Sequence, residues 1–240
     1  MLMAHTSILK TLKSVEVTDV ACGIGNVVHN KGSVVVRVTF KNGRNAIFIG
    51  CHLAAHAGKV KERNEDYRRI RDEVEETFGV GCWDDADCIW WAGDLNYRLE
   101  GKREEVDCMI SEAGDGGREG LLQIDQLTRV RMGGEAWRGM VEGKITFPPT
   151  YKFDKVKTKG GGGRRRRVNG WVRWEGLKYD SSPKRRVPSY TDRVLFKPYK
   201  RVNGEMGEVR CKCIWYESID EDTGSDHKPV AGGWEVEGIM

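Results

Sequence analysis

Long apolar runs and a paired cysteine framework are both missing from this sequence of 240 residues. No uninterrupted apolar stretch is long enough to span a bilayer, and the first nine residues lack the charged-then-apolar layout of a signal peptide. The seven cysteines form no paired pattern, and the spacing of Cys211 and Cys213 does not fit a usual zinc knuckle. We therefore expect one soluble, cytoplasmic domain over residues 1–240, with reduced cysteines and no structural zinc.

The most informative stretch is residues 89–98, where an apolar run ends in a glycine and the polar residues Asp94 and Asn96 follow. The run predicts a buried strand, and the glycine lets the backbone turn where the strand leaves its sheet. Residues two apart in an extended segment point the same way, so Asp94 and Asn96 would face one cleft. Tyr97 and Arg98 would add a hydroxyl and a cation, a set suited to activating water and holding an anion. The alternative is an Asx turn at a strand end without a chemical role.

Three further segments carry polar residues beside apolar runs. His52 follows the apolar run at residues 46–49, the pair Asp226-His227 precedes an apolar strand, and residues 187–195 contain a third polar set. Each segment alone favours a structural role, because a histidine at a strand end is more often a core or surface residue than a catalyst. Four such segments in this order along one chain favour a shared site.

The periodicity of apolar residues predicts a mixture of strands and helices. Alternation over residues 33–40, the Asn42-Gly43 pair and the run at residues 45–50 predict a β-hairpin. Apolar residues spaced by seven, three, four and four from Val60 to Phe78 predict an amphipathic helix. A short helix is expected around Gln126. Further strands are expected at residues 87–92, 193–197, 209–216 and 229–235. Hairpins mixed with helices do not fit a simple doubly wound sheet, and periodicity alone leaves the architecture open.

Together the motifs resemble those of the inositol polyphosphate 5-phosphatase catalytic domain, within the endonuclease/exonuclease/phosphatase superfamily. Two family signatures are matched at residues 91–98 (WAGDLNYR) and 188–195 (PSYTDRVL), and residues 142–152 (EGKITFPPTYK) are similar to a third. Residues 30–32 and the start of the predicted helix at residues 62–67 also fit the family pattern. The resemblance implies an α/β (α+β) fold like that of deoxyribonuclease I. That fold is a four-layer sandwich of two mixed β-sheets flanked by helices, with the active site at one end.

The resemblance also implies Mg²⁺-dependent hydrolysis of a phosphomonoester. Such a site needs a cation, a base and hydrogen-bond donors, because a dianionic phosphate repels incoming water. Asp94 would orient or deprotonate the water, Asn96 would hold it and a phosphate oxygen, and His227 and His52 would meet the phosphate. The residues implied to support this site are Asp226, near the metal or beside a histidine, Arg193, through an ion pair with Asp192, and Arg98.

Basic residues set the substrate choice that the resemblance implies. Lys184 and Arg186 match a K-x-R-x-P pattern and would hold the inositol 4-phosphate together with Tyr151, while Asn30 and Lys31 would meet the 1-phosphate. A lysine, an arginine and a phenol form a cage for a second phosphate. The implied substrates are phosphoinositide lipids, such as phosphatidylinositol 4,5-bisphosphate, or soluble inositol polyphosphates. Peripheral contact with membranes is expected, and specific nucleic-acid binding is not. The alternative for the basic run at residues 184–186 is a solvated charged face that binds no ligand.

The sequence departs from the family pattern at its start. The family's principal magnesium ligand, a glutamate in a Gln-Glu motif, has no counterpart, because residues 1–9 align with a later strand and no Gln-Glu pair precedes Asn26. This departure favours an N-terminally incomplete record of an active enzyme. The alternatives are a metal-deficient module that binds phosphoinositides without hydrolysing them and a nuclease of the same superfamily.

A second departure is an insertion at about residues 155–178, which contains four consecutive glycines followed by four consecutive arginines. Glycine repeats and like charges cannot bury enough surface to become ordered, so this segment predicts a mobile loop. Its functional interpretation is a basic arm for phosphate-rich surfaces such as anionic lipid or nucleic acid. The alternative is a solvated insertion with no specific role.

Overall fold

The computed structural model describes residues 2–23, 31–112, 115–155, 165–168, 171–174, 177–202, 205–219 and 224–239. The helices are α1 (Thr6–Leu9), α2 (Val60–Phe78), α3 (Cys82–Asp85), α4 (Arg103–Ser111), α5 (Asp115–Gln123) and α6 (Gln126–Met132). The strands are β1 (Leu12–Ala21), β2 (Gly32–Phe40), β3 (Asn45–His52), β4 (Cys88–Asp94), β5 (Val141–Glu142), β6 (Arg165–Val168), β7 (Trp171–Trp174), β8 (Asp192–Phe196), β9 (Tyr199–Val202), β10 (Glu205–Ser218) and β11 (Val230–Glu237). Within this part of the chain, no helix has the length and apolar character needed to cross a bilayer.

The main sheet has six strands in the order β1-β2-β3-β4-β8-β5. The predicted hairpin joins β2 to β3, and its turn is closed by the Gly43 amide, which donates to the Phe40 carbonyl oxygen. Gly43 has φ +86°, a conformation that costs a glycine little. Strands β3 and β4 run parallel, whereas the other neighbours in this sheet are antiparallel. The carboxyl ends of β3 and β4 therefore meet at one edge.

The alternation of side chains along β3 and β4 divides the core into two layers. Ile89 and Trp91 are fully buried on one face, where they pack with Tyr67 and Ile70 of α2. Cys88, one residue before Ile89, and Trp90, between Ile89 and Trp91, face the other layer. The helix predicted from apolar spacing is confirmed with the same bounds, Val60–Phe78, because that spacing forms the stripe that covers the sheet.

A second sheet, β11-β10-β9, covers the other face of the main sheet. Val209 and Cys211 of β10 lie in one buried cluster with Cys88 and Phe196 of the main sheet. A third cluster joins helices α4 and α5 to Tyr216 of β10. The expected architecture of two sheets flanked by helices is confirmed, with a mixed first sheet and an antiparallel second sheet.

Three local expectations differ from the structure. Residues 2–9 form no strand but contain the short helix α1. The helix expected around Gln126 is divided into α5 and α6, because Asp125 accepts a hydrogen bond from the Thr128 amide and caps a new helix start. In the insertion, the strands β6 and β7 form an antiparallel pair. The predicted glycine-rich loop at residues 160–163 lies outside the described residues.

Candidate active site

The candidate site begins where β3 and β4 end side by side. The parallel register places Cys51 opposite Gly93 and His52 opposite Asp94. Gly93 has φ +139°, and a Cβ atom at this position would stand 1.9 Å from the Cys51 carbonyl oxygen. A glycine is required here because the two backbones approach each other too closely for a side chain. This close approach brings the His52 imidazole to Asp94, with 3.1 Å between Nε2 and Oδ2.

Asp94 and Asn96 meet through a turn rather than through an extended strand. The backbone amide of Asn96 donates to Asp94 Oδ1 at 3.0 Å, and its side-chain Nδ2 donates to Asp94 Oδ2 at 3.1 Å. Nδ2 also donates to the Leu53 carbonyl oxygen at 3.0 Å. Asn96 has φ +58°, so the chain has left the strand before this residue. The Asx turn and the convergence of the two side chains, which the sequence posed as alternatives, therefore occur together.

Arg98 supports this turn, whereas Tyr97 does not take part in it. The Arg98 guanidinium donates to the Asn96 backbone oxygen at 3.0 Å and also to Asn96 Oδ1. It lies 4.3 Å from the centre of the Tyr151 ring, within range of a cation–π contact. Tyr97 is fully buried, and its hydroxyl donates to Asn64 Oδ1 at 2.6 Å inside the core. The expectation that Tyr97 supplies a hydroxyl to the cleft is therefore wrong.

Lys31 adds a cation on the His52 side. Its Nζ lies 2.6 Å from His52 Nε2, the same nitrogen that faces Asp94. Burial lowers the pKa of the Lys31 ammonium, and the positive charge of Arg98 acts in the same direction against the attraction of Asp94. Asn30, the other residue expected to bind the 1-phosphate, lies outside the described residues.

His227 approaches the same place from the start of β11 and is held by Asp192. Its Nδ1 lies 3.0 Å from Asp192 Oδ2, and that oxygen also accepts hydrogen bonds from the Thr150 and Thr191 hydroxyls. Burial by itself lowers the pKa of His227. The Asp192 hydrogen bond and the negative charges of Asp192, Asp94 and Asp226 outweigh it, so the pKa of His227 is raised above its ordinary value.

Asp226 points away from this arrangement. Its Oδ2 accepts from Lys152 Nζ at 2.5 Å, and its Oδ1 lies 3.6 Å from Lys155 Nζ. Burial alone raises the pKa of Asp226, but the Lys152 hydrogen bond and charge lower it overall. The expectation that Asp226 tunes a histidine is met through its charge, which raises the pKa of His227, but its carboxylate is not part of the group formed by Asp94, Asp192 and His227. The carboxylate that contacts the His227 ring is that of Asp192.

Asp94, Asp192 and His227 form a group that could hold a metal ion. One ligand atom from each lies within 4.8 Å of the other two, and all three side chains are half-buried. Two carboxylates suit a hard cation such as Mg²⁺, which is commonly held by one or two carboxylates together with water and substrate phosphate. The Nδ1 atom of His227 is already engaged by Asp192. The oxygen donors of Asp94 and Asp192 therefore fit the expected ion better than the imidazole does.

The three residues expected to bind the 4-phosphate occupy different positions. The Tyr151 ring lies 4.5 Å from the His227 ring, which places it directly at the cluster. Arg186 is tied to Asp180, whose Oδ2 accepts from the Arg186 backbone amide at 2.9 Å and lies 3.6 Å from its guanidinium. Lys184 is exposed on the same loop. The loop therefore presents Lys184 and Arg186 from a fixed base, the buried Asp180.

Arg193 is a structural residue with other partners than the one expected. Its guanidinium donates to Asp125 Oδ2 at 3.0 Å and to the Glu142 carboxylate at 2.6 Å, and Arg193 is only 1% exposed. The expectation of an ion pair with Asp192 is wrong, because neighbouring residues of β8 face opposite sides of the sheet. Burial lowers the pKa of Arg193, but the two carboxylates raise it well above its ordinary value. Sequence reasoning missed Asp125 and Glu142, since no local motif links them to residue 193.

Comparison with known proteins finds relatives among synaptojanins and inositol polyphosphate 5-phosphatases. Synaptojanin-2 of Rattus norvegicus is 32% identical over 244 residues, covering 94% of this chain and 15% of that protein. Type IV inositol polyphosphate 5-phosphatase 11 of Arabidopsis thaliana is 33% identical over 234 residues, covering 95% of this chain and 58% of that protein. The chain thus spans only part of each relative.

A solved structure shares the fold. The inositol polyphosphate 5-phosphatase domain of SPsynaptojanin, in complex with inositol (1,4)-bisphosphate and a calcium ion, superposes with a TM-score of 0.70. It is 32% identical, and the match covers 96% of this chain and 58% of that one. The expected fold is confirmed. The family model described as Endonuclease/Exonuclease/phosphatase family 2 matches residues 1–233, and the chain therefore belongs to that family.

Proposed function

We propose that this chain is a catalytic domain that removes the 5-phosphate from phosphoinositides or soluble inositol polyphosphates, with Mg²⁺ as its cofactor. The observation that carries the proposal is the convergence of Asp94, Asp192 and His227 at the strand ends of this fold. Its similarity to inositol polyphosphate 5-phosphatases supports the substrate class. Because the lipid substrates reside in membranes, we propose a cytoplasmic protein that acts peripherally at a membrane surface.

The cofactor would be held by the carboxylates of Asp94 and Asp192. When bound, Mg²⁺ would supply positive charge that offsets the charge of the phosphate and lowers the repulsion toward an incoming water. Both carboxylates belong to the group at the strand ends that could hold a metal ion. Asp226 is a weaker candidate, since Lys152 already neutralises its carboxylate.

The remaining steps are assigned to the side chains at the cluster. Asp94 would orient the attacking water and accept its proton, while Asn96 and Arg98 would hold the Asp94 carboxylate in place. His227, oriented by Asp192 through Nδ1, would offer its other ring nitrogen to a phosphate oxygen. On the opposite side, His52 and Lys31 would contribute donors to the same phosphate.

Specificity would come from the second phosphate of the substrate. Lys184, Arg186 and Tyr151 would bind the 4-phosphate, and Lys31 with Asn30 would meet the 1-phosphate. The arrangement is supported by the position of the Tyr151 ring, which lies beside His227 and Arg98, and by the backbone pairing of Tyr151 with Ser189, three residues after Arg186.

The direct test is phosphate release from inositol 1,4,5-trisphosphate in the presence of Mg²⁺, with chromatographic identification of the bisphosphate product. We expect loss of the 5-phosphate, sensitivity to a chelator and no nicking of plasmid DNA. Asp94→Asn should lower kcat at least about 100-fold, because the water loses its base. Asp72→Asn on the exposed side of α2 is the matched control.

The test also separates the rival functions. Efficient plasmid nicking without inositol phosphate hydrolysis would assign a nuclease. Binding of inositol 1,4,5-trisphosphate without turnover, at any Mg²⁺ concentration, would assign a binding module. Near-normal turnover in the Asp94→Asn protein would remove Asp94 from the reaction.

A further inference from the structure

The positive charge of this chain is concentrated in one segment. Residues 155–178 contain nine lysines and arginines and a single acidic residue, Glu175. The whole chain contains 40 basic and 36 acidic residues, so the remainder carries 31 basic against 35 acidic residues. Outside this segment the protein is net negative. A net positive charge of +4 therefore depends entirely on the insertion.

The insertion leaves and rejoins the fold beside the candidate active site. The Asp154 amide donates to the Lys178 carbonyl oxygen at 2.9 Å, which closes the stem on which residues 155–177 are carried. One residue earlier, the Phe153 amide donates to the Asp226 carbonyl oxygen at 2.9 Å. The rings of Phe153 and Tyr179 stack at 4.4 Å across the stem. The stem is thus built against the segment that carries His227.

Within the insertion, β6 and β7 form a two-stranded ribbon, which we call the basic ribbon (Arg165–Val168 and Trp171–Trp174). Its register places Arg166 opposite Arg173 and Arg165 opposite Trp174. Like charges directly opposite each other destabilise a strand pair, and a two-stranded ribbon alone is marginal in water. In the described part of the chain, neither strand pairs with another sheet. Three of the four residues of β6 are arginines, so the charge of the ribbon is complementary to a negatively charged partner.

Two tryptophans distinguish the basic ribbon from a merely solvated charged loop. Trp171 and Trp174 occupy β7, each opposite a residue of β6. Tryptophan rings favour the interface between lipid headgroups and acyl chains, where an apolar ring and a polar N–H are both accommodated. Clustered arginines beside such rings are typical of segments that bind anionic lipid surfaces. Arginines and tryptophans also suit single-stranded nucleic acid, so an oligonucleotide is the competing partner that must be tested against vesicles.

We propose that the basic ribbon is a membrane-contact surface that binds anionic lipid headgroups and brings the neighbouring active site to the bilayer. The choice of a membrane as the partner and the orientation of the site rest on the proposed phosphatase function, whereas the affinity of the ribbon for an anionic surface does not. The position of the stem beside His227 favours a membrane over nucleic acid, because lipid-linked inositol phosphates lie in that surface. The ribbon would then confer a preference for lipid over soluble substrate.

The experiment is co-sedimentation of the full chain with phosphatidylcholine vesicles made with and without phosphatidylserine. We expect binding only to the vesicles with phosphatidylserine, weakened by salt. The variant Arg165→Gln/Arg166→Gln/Arg167→Gln should bind about 100-fold more weakly, since each arginine near an anionic surface contributes about fivefold. Trp171→Ala/Trp174→Ala should also weaken binding. The matched control, which removes three positive charges from exposed lysines elsewhere, is Lys10→Gln/Lys61→Gln/Lys212→Gln.

A second measurement keeps the two proposals distinguishable. Hydrolysis of soluble inositol 1,4,5-trisphosphate should be unchanged in the triple-arginine variant, while hydrolysis of vesicle-borne phosphatidylinositol 4,5-bisphosphate falls. If the chain hydrolyses neither substrate, vesicle binding still tests the ribbon. The proposal is overturned if the control variant loses as much binding as the arginine variant, or if neutral vesicles bind equally. It is also overturned if a single-stranded oligonucleotide is bound through these arginines and vesicles are not.

Discussion

Three consecutive basic residues near the candidate site have different partners, although the sequence makes them look alike. Arg185 pairs with Glu104 at 2.9 Å, on the exposed surface of α4. Arg186 is anchored to the buried Asp180, and Lys184 is exposed. A charge that is already paired on the surface contributes little to ligand binding. Arg185 is therefore engaged at 2.9 Å, whereas the guanidinium of Arg186 lies 3.6 Å from its carboxylate and Lys184 is exposed, so we propose Lys184 and Arg186 as the partners of a ligand phosphate.

The first prediction concerns these two residues. Lys184→Ala combined with Arg186→Ala should reduce kcat/KM on inositol 1,4,5-trisphosphate by at least about tenfold per residue, because each charge-assisted contact contributes about 1.5–3 kcal/mol. The same variant should retain activity on a substrate that lacks the 4-phosphate. Arg185→Ala is the control, because it removes the same charge from the same loop. Equal losses on both substrates would mean that Lys184 and Arg186 only support the loop.

Single residues in the site were predictable only where contacts are local. The proximity of Asp94 and Asn96 follows from two positions in one motif, and the structure places them together through the Asx turn. The partner of His227 was not predictable in this way. Adjacent Asp226 looks like its partner in the sequence, but the actual partner, Asp192, lies 35 residues away. Only the pairing of strands decides which carboxylate reaches the ring.

At the scale of elements, Arg193 joins three of them. It lies on β8, Asp125 caps α6, and Glu142 lies on β5 and also accepts from the Tyr216 hydroxyl at 3.0 Å. All three charged residues are buried. Removing the Arg193 cation would leave the buried Asp125 without its ion pair and Glu142 with only the more distant Arg131 guanidinium, 3.8 Å away. The elements behind the candidate site are therefore held by charge as well as by apolar packing.

The second prediction follows from this buried group. Arg193→Ala should lower the free energy of unfolding by about 3–5 kcal/mol, measured by urea denaturation. Arg68→Ala, at an exposed position on α2, should change it by less than about 0.5 kcal/mol. The triple variant Arg193→Met/Asp125→Asn/Glu142→Gln should regain part of the loss, because no buried charge is left unpaired. A mild effect of Arg193→Ala would show that water reaches the two carboxylates.

Asp180 fixes the loop at residues 180–186, and its pKa makes that role dependent on pH. Burial raises the pKa of this carboxyl, but hydrogen bonds from Ser182 and Arg186 and the charge of Arg186 lower it to about 2. The folded value thus lies below the ordinary 3.8. A group with a depressed folded pKa stabilises the protein above its unfolded pKa and loses that contribution as pH falls through the folded pKa.

The third prediction is that the contribution of Asp180 disappears between about pH 4 and pH 2. Asp180→Asn should cost about 2 kcal/mol of unfolding free energy at pH 7 and little at pH 2. Urea unfolding of both proteins across this range gives the comparison. Asp72→Asn, at an exposed site, should show no such convergence. A constant difference between Asp180→Asn and the unsubstituted protein would assign the effect to packing instead.

Elements with a strong internal period were predictable, and those defined by distant contacts were not. Helix α2 and the β2–β3 hairpin follow from apolar spacing and from the Asn42-Gly43 turn, which are properties of the local chain. The division between α5 and α6 depends on Asp125, whose carboxylate is fixed by Arg193 from another element. The sequence around Gln126 does not indicate this contact, because Arg193 lies far from it along the chain.

At the scale of the whole molecule, an apolar groove of about 750 Å³ opens between the two sheets. Its walls include Phe48 and Trp90 of the main sheet and Trp234 of β11. Along its border, β1 is an edge strand that pairs with β2 alone in the described part of the chain. Val15 and Val17 on this strand are 51% and 64% exposed. Open strand edges beside apolar surface favour association between molecules.

The last prediction is that this chain self-associates through the border of the groove and that charge on β1 prevents it. Val15→Lys/Val17→Lys should reduce association in sedimentation velocity and reduce binding of an apolar dye. The free energy of unfolding should change by less than about 1 kcal/mol, because both side chains are largely exposed. Glu16→Lys, on the opposite face of the same strand, separates the effect of charge from the effect of removing apolar surface. If the unsubstituted chain is monomeric and does not bind the dye, the groove is closed in solution by the protein itself.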